Sequence, residues 1–139
     1  MLIFLAALLV LLHSPASPPR KATLTVEIRN IQEADGRIQL GLFKPSPNFP
    51  DKCKPFEARM IAATKGSVRL AFDVEPGEYA LAAYHDVNSN GRLDTRLFGI
   101  PKEPYGFSNN VRPRMSAPTF ADCRVVMGDA NKAIYILLK

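Results

Sequence analysis

Short oxygen-bearing side chains stand at the alternate positions 86, 88 and 90, a glycine follows at position 91, and a further carboxylate stands at position 94. Carboxylate, carboxamide and backbone carbonyl oxygens are the ligands that calcium prefers in proteins. Gly91 permits the sharp turn that wraps such ligands around one ion. The predicted ligands are Asp86, Asn88, Asn90, Arg92 through its backbone carbonyl, and Asp94. The spacing therefore predicts a calcium-binding loop with a structural role.

This loop is not an EF-hand, and a simpler interpretation competes with calcium binding. Leu97 stands where an EF-hand has its bidentate glutamate, and no helical periodicity flanks the segment. Asn, Asp, Ser and Gly also dominate plain turns, because their side chains bond to their own backbone. Two carboxylates predict weak affinity, on the order of 10⁻⁴ to 10⁻³ M, and Arg92 and Arg96 add positive charge nearby. A metal loop and an Asx-rich turn both remain open.

The residue types of a hydrolytic triad are present, but their arrangement is unfavourable. Ser108 lies in Gly-Phe-Ser-Asn-Asn rather than in the G-x-S-x-G elbow of hydrolases. His85 and Asp86 are adjacent, and adjacent side chains on a strand point to opposite faces. We therefore expect no enzymatic activity. The alternative is a small-ligand hydrolase or another enzyme centred on His85, the only histidine after residue 17.

A second candidate element is the Gly-, Pro- and Asn-rich segment 98–110, which has little strand character. Its aromatic rings could stack on a sugar or on a partner's side chain while its amides form hydrogen bonds. The predicted ligand surface consists of His85, Tyr105, Phe107, Asn109 and Asn110. In the alternative interpretation, Phe98, Ile100 and Phe107 form a lid over one end of the fold, and the asparagines satisfy loop backbone.

Cys53 and Cys123 are the only cysteines of the chain. An even pair in an exported chain predicts a disulfide. Closing a loop of about seventy residues would contribute roughly 4 kcal/mol in the loop-closure description. The alternative is two unpaired thiols. The sequence has no C-x-x-C motif, so neither metal nor redox chemistry is indicated for these residues.

Short alternating segments separated by Gly, Pro, Asn and Asp make up the chain after Ser17, which predicts an all-β fold. The predicted strands are 23–31, 37–43, 56–63, 67–74, 78–85, 123–127 and 132–138. Seven strands with one buried face each indicate a single β-sandwich over residues 22–139. We expect no long helix, no internal repeat and no linker that divides the domain.

The N-terminal residues 1–12 are almost wholly apolar and are followed by Ser14, Pro15, Ala16 and Ser17. This is typical of a signal peptide, which we assign to residues 1–17, although the segment lacks an N-terminal Lys or Arg. The twelve residues are too few to span a bilayer. The expected location is therefore periplasmic or extracellular, without a transmembrane segment after processing.

The net charge of +5 comes from Lys and Arg residues that are dispersed along the chain. No basic helix and no stacked aromatic pattern accompanies them, so we expect no binding to nucleic acid. The positive charge instead implies a general attraction to anionic polymers or lipid headgroups of the envelope. An envelope protein or a glycan is the expected partner, whereas the composition leaves the oligomeric state open.

Residues 74–94 and 98–110 closely resemble a bacterial envelope family that is catalogued as domain of unknown function 2141. Residues 41–43 and 48–50 fit the same family. The resemblance implies export and a prealbumin-like or immunoglobulin-like β-sandwich, but it implies no activity and does not include the cysteines. Together with the residues above, it leads us to expect a secreted, non-enzymatic binding or accessory module, with calcium as the one candidate cofactor and no organic cofactor.

Overall fold

A computed structural model describes residues 14–139. Its strands are β1 (Ala22–Ile31), β2 (Arg37–Phe43), β3 (Glu57–Ala62), β4 (Gly66–Val74), β5 (Gly77–Asp86), β6 (Tyr105–Phe107), β7 (Val125–Met127) and β8 (Lys132–Leu137), with 3₁₀ turns at Leu97–Gly99 and Ser108–Asn110. All seven predicted strands are confirmed, with small shifts at their ends. The expectation of a loop throughout 98–110 is wrong at β6. Among the described residues, no helix is long and apolar enough to cross a membrane.

The strands form two sheets that pack as a β-sandwich, which confirms the predicted fold class. One sheet has the order β4-β1-β8, with β1 antiparallel to β4 and parallel to β8. The other has five strands, in the order β3-β2-β5-β6, and β7 pairs with the opposite end of β5. Because β5 is central in this second sheet, it positions most of the side chains discussed below.

Alternating apolar residues build the core between the sheets. Leu24, Val26 and Ile28 of β1 have no exposed surface, and neither do Ile38 and Leu42 of β2. Each such aliphatic side chain contributes roughly 1.5–3 kcal/mol on full burial. The period-2 pattern in the sequence is therefore the main physical determinant of these strands.

One side of the sandwich is closed by contacts between β6 and β8. The backbone of Tyr105 exchanges two hydrogen bonds with Lys139, each 3.1 Å long. The Arg112 guanidinium donates to the carbonyl oxygens of Tyr105 at 3.2 Å and Leu137 at 2.6 Å. Gly106 allows this approach, because a Cβ at that position would lie 2.6 Å from the Leu137 carbonyl oxygen. These contacts hold β6, and hence its two aromatic side chains, in place.

The predicted signal peptide falls largely on residues 1–13, which lie outside the described residues. Residues 14–17 are exposed and have no regular secondary structure. The signal assignment therefore stays a prediction.

Candidate functional site

The outer face of the five-stranded sheet has a floor of small side chains. Gly41 of β2 pairs with Ala58 of β3 on one side and with Ala82 of β5 on the other. Phe107 of β6 continues the same row, opposite Ala82. Side chains at paired positions share a face and lie close together. The row therefore forms a shallow depression that ends at an aromatic ring.

The neighbouring row across the sheet has larger side chains, which form one wall of this depression. Tyr84 pairs with Gln39 on one side and with Tyr105 on the other. The Tyr105 and Phe107 rings meet edge to face, with centroids 5.8 Å apart and planes at 74°. Three aromatic side chains thus stand side by side at the β5–β6 end of the floor.

Together these residues line a groove of about 560 Å³, which also contacts Phe43, Pro50, Asp51, Cys53, Pro55, Gly91 and Leu93. The volume lies within the range of small-molecule sites. Gly41 is needed here because a Cβ would lie 2.8 Å from the Phe43 ring and 3.3 Å from Pro55. The groove thus runs between the 44–56 loop and the Asp86–Asp94 loop, with the sheet as its base.

An aromatic cluster covers the other end of the same sheet face. The Phe49 ring packs edge to face against Phe43, Phe107 and Phe120, at centroid distances of 5.1, 6.2 and 6.1 Å. These contacts join the 44–56 loop to the 111–124 loop over the sheet. Phe107 therefore belongs both to this cluster and to the groove wall.

Both cysteines lie in this aromatic cluster. Cys123 is completely buried within it, Cys53 packs against it, and the two sulfur atoms are not bonded to each other in this structure. Burial, together with the nearby Asp122 carboxylate, raises the pKa of the Cys123 thiol to about 12. A free Cys123 is therefore unreactive at neutral pH, because the thiolate is the nucleophile. The predicted bridge stays a prediction.

The Asp86–Asp94 loop is tied together by its own side chains. The two Asp86 carboxylate oxygens accept the backbone N–H groups of Asn90 at 3.0 Å and Gly91 at 2.9 Å. The side-chain amides of Asn88 and Asn90 donate to the Asp94 carboxylate at 2.7 to 3.0 Å. These amides lower the pKa of Asp94, with Asn90 the larger cause and Asn88 the next.

Sequence reasoning missed the residue that holds this loop to the sandwich. Glu103 is buried, and its two carboxylate oxygens accept the backbone N–H groups of Val87 and Asp94, both at 3.0 Å. One side chain thus bridges the two ends of the loop. A glutamate followed by a proline, nine residues after the end of the loop at Asp94, gave no recognisable signal in the sequence.

The donor set of the loop fits calcium in its chemistry. Four predicted ligands contribute side chains that hydrogen-bond either to one another or to the backbone of the loop. They are Asp86, Asn88, Asn90 and Asp94. Within the described residues, no group of three or more His, Cys, Asp or Glu side chains is placed to hold a metal. A calcium ion would therefore depend on asparagine and backbone oxygens, with the two asparagine amides rotated to present oxygen.

His85 lines a separate cavity on the core side of the sheet. This cavity measures about 440 Å³ and is bordered by Gln32, Glu33, His85, Val87, Asn88, Asp94, Lys102, Glu103 and Pro104. The His85 ring is 1% exposed, and its Nε2 lies 2.6 Å from the carbonyl oxygen of Asp35. At that distance Nε2 donates its proton to the carbonyl.

The other two residue types of a hydrolytic triad, Ser108 and Asp86, form hydrogen bonds away from His85. Ser108 is fully buried, where its Oγ accepts the Leu81 N–H at 2.9 Å and donates to the Cys123 carbonyl oxygen. Asp86 bonds to the loop amides described above rather than to His85. Ser108 therefore ties β5 to the 111–124 loop, and the structure does not bring the three side chains together.

The predicted ligand surface is divided by the structure. Tyr105 and Phe107 line the groove, whereas His85 lies in the other cavity. The Asn109 amide donates to the carbonyl oxygens of Asp122 and Arg124, and the Asn110 carbonyl accepts the Leu137 N–H at 2.8 Å.

Both asparagines adopt positive φ angles, 61° and 52°, where asparagine is tolerated better than most residues. Their side chains form hydrogen bonds with backbone carbonyl and N–H groups. Ile100, which the alternative interpretation placed in a lid, is 57% exposed. Asn109 and Asn110 thus support the position of β6 rather than line the groove.

The groove's wall residue Tyr84 lies close to the acidic loop. Burial raises the pKa of Tyr84, and the Asp86, Glu103 and Asp94 carboxylates raise it further. The phenol therefore remains protonated at neutral pH. It offers the groove an uncharged aromatic face and a hydroxyl group.

A family model described as an uncharacterized protein conserved in bacteria (DUF2141) matches residues 26–135, which is most of the chain. Neither the curated proteins nor the solved structures contain a match.

Proposed function

The chain belongs to the bacterial DUF2141 family, and we propose that it is an exported binding or accessory module of the cell envelope without catalytic activity. The observation that carries this proposal is the groove on the five-stranded sheet. It has an apolar floor, aromatic walls, and two loops at its borders. Such features are typical of sites that bind a small ligand.

The chemical groups available in the groove support binding over catalysis. Gln39, Asp51 and Cys53 provide its polar side chains beside the tyrosine hydroxyls, and no histidine or serine is among the described residues that line it. Catalysis by general acid and base needs a titratable group that is held in position within hydrogen-bond reach of the substrate, whereas Asp51 lies exposed in the 44–56 loop. The His85 cavity is the place for the enzymatic alternative, but the ring nitrogen Nε2 is already bonded to a backbone carbonyl.

Calcium has a structural place in this proposal. Gly91 and Leu93 of the Asp86–Asp94 loop line the groove. An ion held by Asp86 and Asp94 would fix the loop that forms this border, and it would take no part in a reaction. The groove and the calcium loop are thus two parts of one binding module.

A fragment screen by NMR with ¹⁵N-labelled mature protein tests the binding function. We expect the largest amide shifts at Gly41, Ala82 and Tyr105, because these residues form the groove. Ala82→Leu should remove most binding by filling the floor. Ala71→Leu is the matched control, since Ala71 is an exposed residue of β4 in the other sheet. Shifts centred on His85 and Glu103, with ester hydrolysis that His85→Gln abolishes, would instead favour the enzyme.

Export and the disulfide are both part of the proposal, and one intact-mass measurement tests them. Protein recovered from an oxidising compartment should lack residues 1 to about 17. After unfolding without reduction, alkylation should add no mass, because Cys53 and Cys123 would be bridged. Two added alkyl groups would establish free thiols, and a retained N-terminus would overturn the signal assignment. Reduction before alkylation is the positive control.

A further inference from the structure

The groove has a charge balance unlike that of the chain as a whole. The chain carries 18 Lys and Arg residues and a net charge of +5. Among the described residues that line the groove, none is Lys or Arg, and Asp51 is acidic. Within residues 14–139, Asp51 forms no salt bridge. Its exposed carboxylate is available to a positive charge that a ligand brings.

The aromatic wall favours the same sign of charge. Tyr84 and Tyr105 are paired across adjacent strands, and the Phe107 ring stands at 74° to that of Tyr105. Rings in this arrangement form a corner with differently oriented π faces. The face of an aromatic ring carries partial negative charge and attracts a cation, most strongly when water is excluded.

The hydrogen-bonding side chains of the groove are few, namely Gln39, Asp51, Tyr84 and Tyr105, and this favours a cation over a sugar as the ligand. Gln39 is the one carboxamide among the lining residues described, and its Nε2 already donates to the Met60 sulfur at 3.4 Å. The amides of Asn109 and Asn110 bond to backbone carbonyls. A sugar needs partners for several hydroxyls, since unpaired polar groups are costly to bury. An alkylated ammonium group needs none.

We propose that the groove binds a small organic cation that carries an alkylated ammonium group. The ammonium packs against the faces of Tyr84, Tyr105 and Phe107, and Asp51 contributes opposite charge at the rim. The small floor residues Gly41, Ala58 and Ala82 leave room for the alkyl substituents. This proposal rests on the binding function proposed above for the same groove, and it specifies the class of ligand.

A pair of isosteric probes isolates the charge. Choline and 3,3-dimethylbutan-1-ol have nearly the same shape, but only choline is charged. In NMR titrations of the mature protein, choline should bind at least about fivefold more tightly than the alcohol, as expected for one effective cation–π site. The amide shifts should centre on Gly41, Ala82 and Tyr105.

Two variants separate the sources of this preference. Tyr105→Leu keeps an apolar side chain but removes a π face, so it should weaken choline binding and change alcohol binding little. Asp51→Asn removes only the charge at an exposed loop position, so the fold should survive. Asp51→Asn should also reduce the ratio of the choline affinity to the alcohol affinity. Asp129→Asn, in an exposed turn away from the groove, should leave the ratio unchanged.

The results have distinct meanings. Equal affinities for the two probes would overturn the cation proposal while leaving the groove as a binding site. Choline shifts outside the groove, or none at all, would also overturn it, and the fragment screen would judge the binding function separately. If choline binds in the groove, sedimentation of the protein with phosphatidylcholine vesicles distinguishes two kinds of ligand. Co-sedimentation that Tyr105→Leu abolishes would identify a lipid headgroup as the ligand. Absence of co-sedimentation would identify a free alkylated ammonium compound.

Discussion

Gly106→Ala is expected to lower the free energy of unfolding by about 2–3 kcal/mol, in the range of overpacked cores. The added Cβ would lie 2.6 Å from the Leu137 carbonyl oxygen and 2.7 Å from Ile136 Cγ2. A backbone oxygen cannot rotate away as a side chain can, so β6 must move away from β8. That movement breaks the bonds between Tyr105 and Lys139 that close the sandwich.

Urea unfolding of the wild type and the variant measures this loss. Gly128→Ala is the control, because a Cβ there meets no atom within 4 Å. Groove binding should fall together with stability in Gly106→Ala, since Tyr105 and Phe107 flank the substituted position. An unchanged unfolding midpoint would show that β6 is not packed on β8 as described.

The same glycine illustrates what the sequence could and could not predict. The long strands alternate apolar and polar residues over seven or more positions, as β1, β2 and β4 do, and the sequence predicted them correctly. β6 has three residues, a central glycine and a proline shortly before it. Its strand character comes from pairing with β5 and from contact with β8. Such pairing is tertiary, so local propensity gives no signal for it.

The groove was predictable only in part for a similar reason. Tyr105 and Phe107 were recognised as candidate ligand contacts from their types. Tyr84, Gly41 and Ala82 were not, because small residues and a tyrosine within strands give no sign of which neighbours they meet. Their importance depends on the register that places Gly41 opposite Ala82 and Tyr84 opposite Tyr105. Register is a property of paired strands, and a single strand does not reveal it.

The Asp86–Asp94 loop presents the opposite case, since its sequence pattern was clear and its contacts agree with both interpretations. Asp86 accepts two backbone N–H groups, which is typical of an Asx-rich turn. The same contact orients a carboxylate in a rigid loop, which favours a metal site. Glu103 fixes both ends of the loop independently of any ion. The backbone of the loop is therefore preformed, and calcium binding would require rotation of the two asparagine amides but little further ordering.

Calcium should accordingly raise the melting temperature of the processed protein. A ligand that binds only the folded state adds RT ln(1 + [L]/Kd) to stability. With Kd near 10⁻⁴ M, about 10 mM calcium should add roughly 2.7 kcal/mol, or several degrees. Magnesium should add much less, because it prefers a smaller octahedral shell and retains its waters.

Substitutions in the loop test whether the stability gained with calcium comes from this site. Asp94→Asn keeps the size of the side chain but removes one of the two loop carboxylates, so the calcium increment should nearly disappear. Asp86→Asn should do the same and should also weaken the protein without calcium, because Asp86 accepts two backbone amides. Asp129→Asn, in an exposed turn, should keep the full increment. If the melting temperature stays flat across a calcium titration at constant ionic strength, after chelator treatment, then Glu103 and the asparagine amides alone hold this loop.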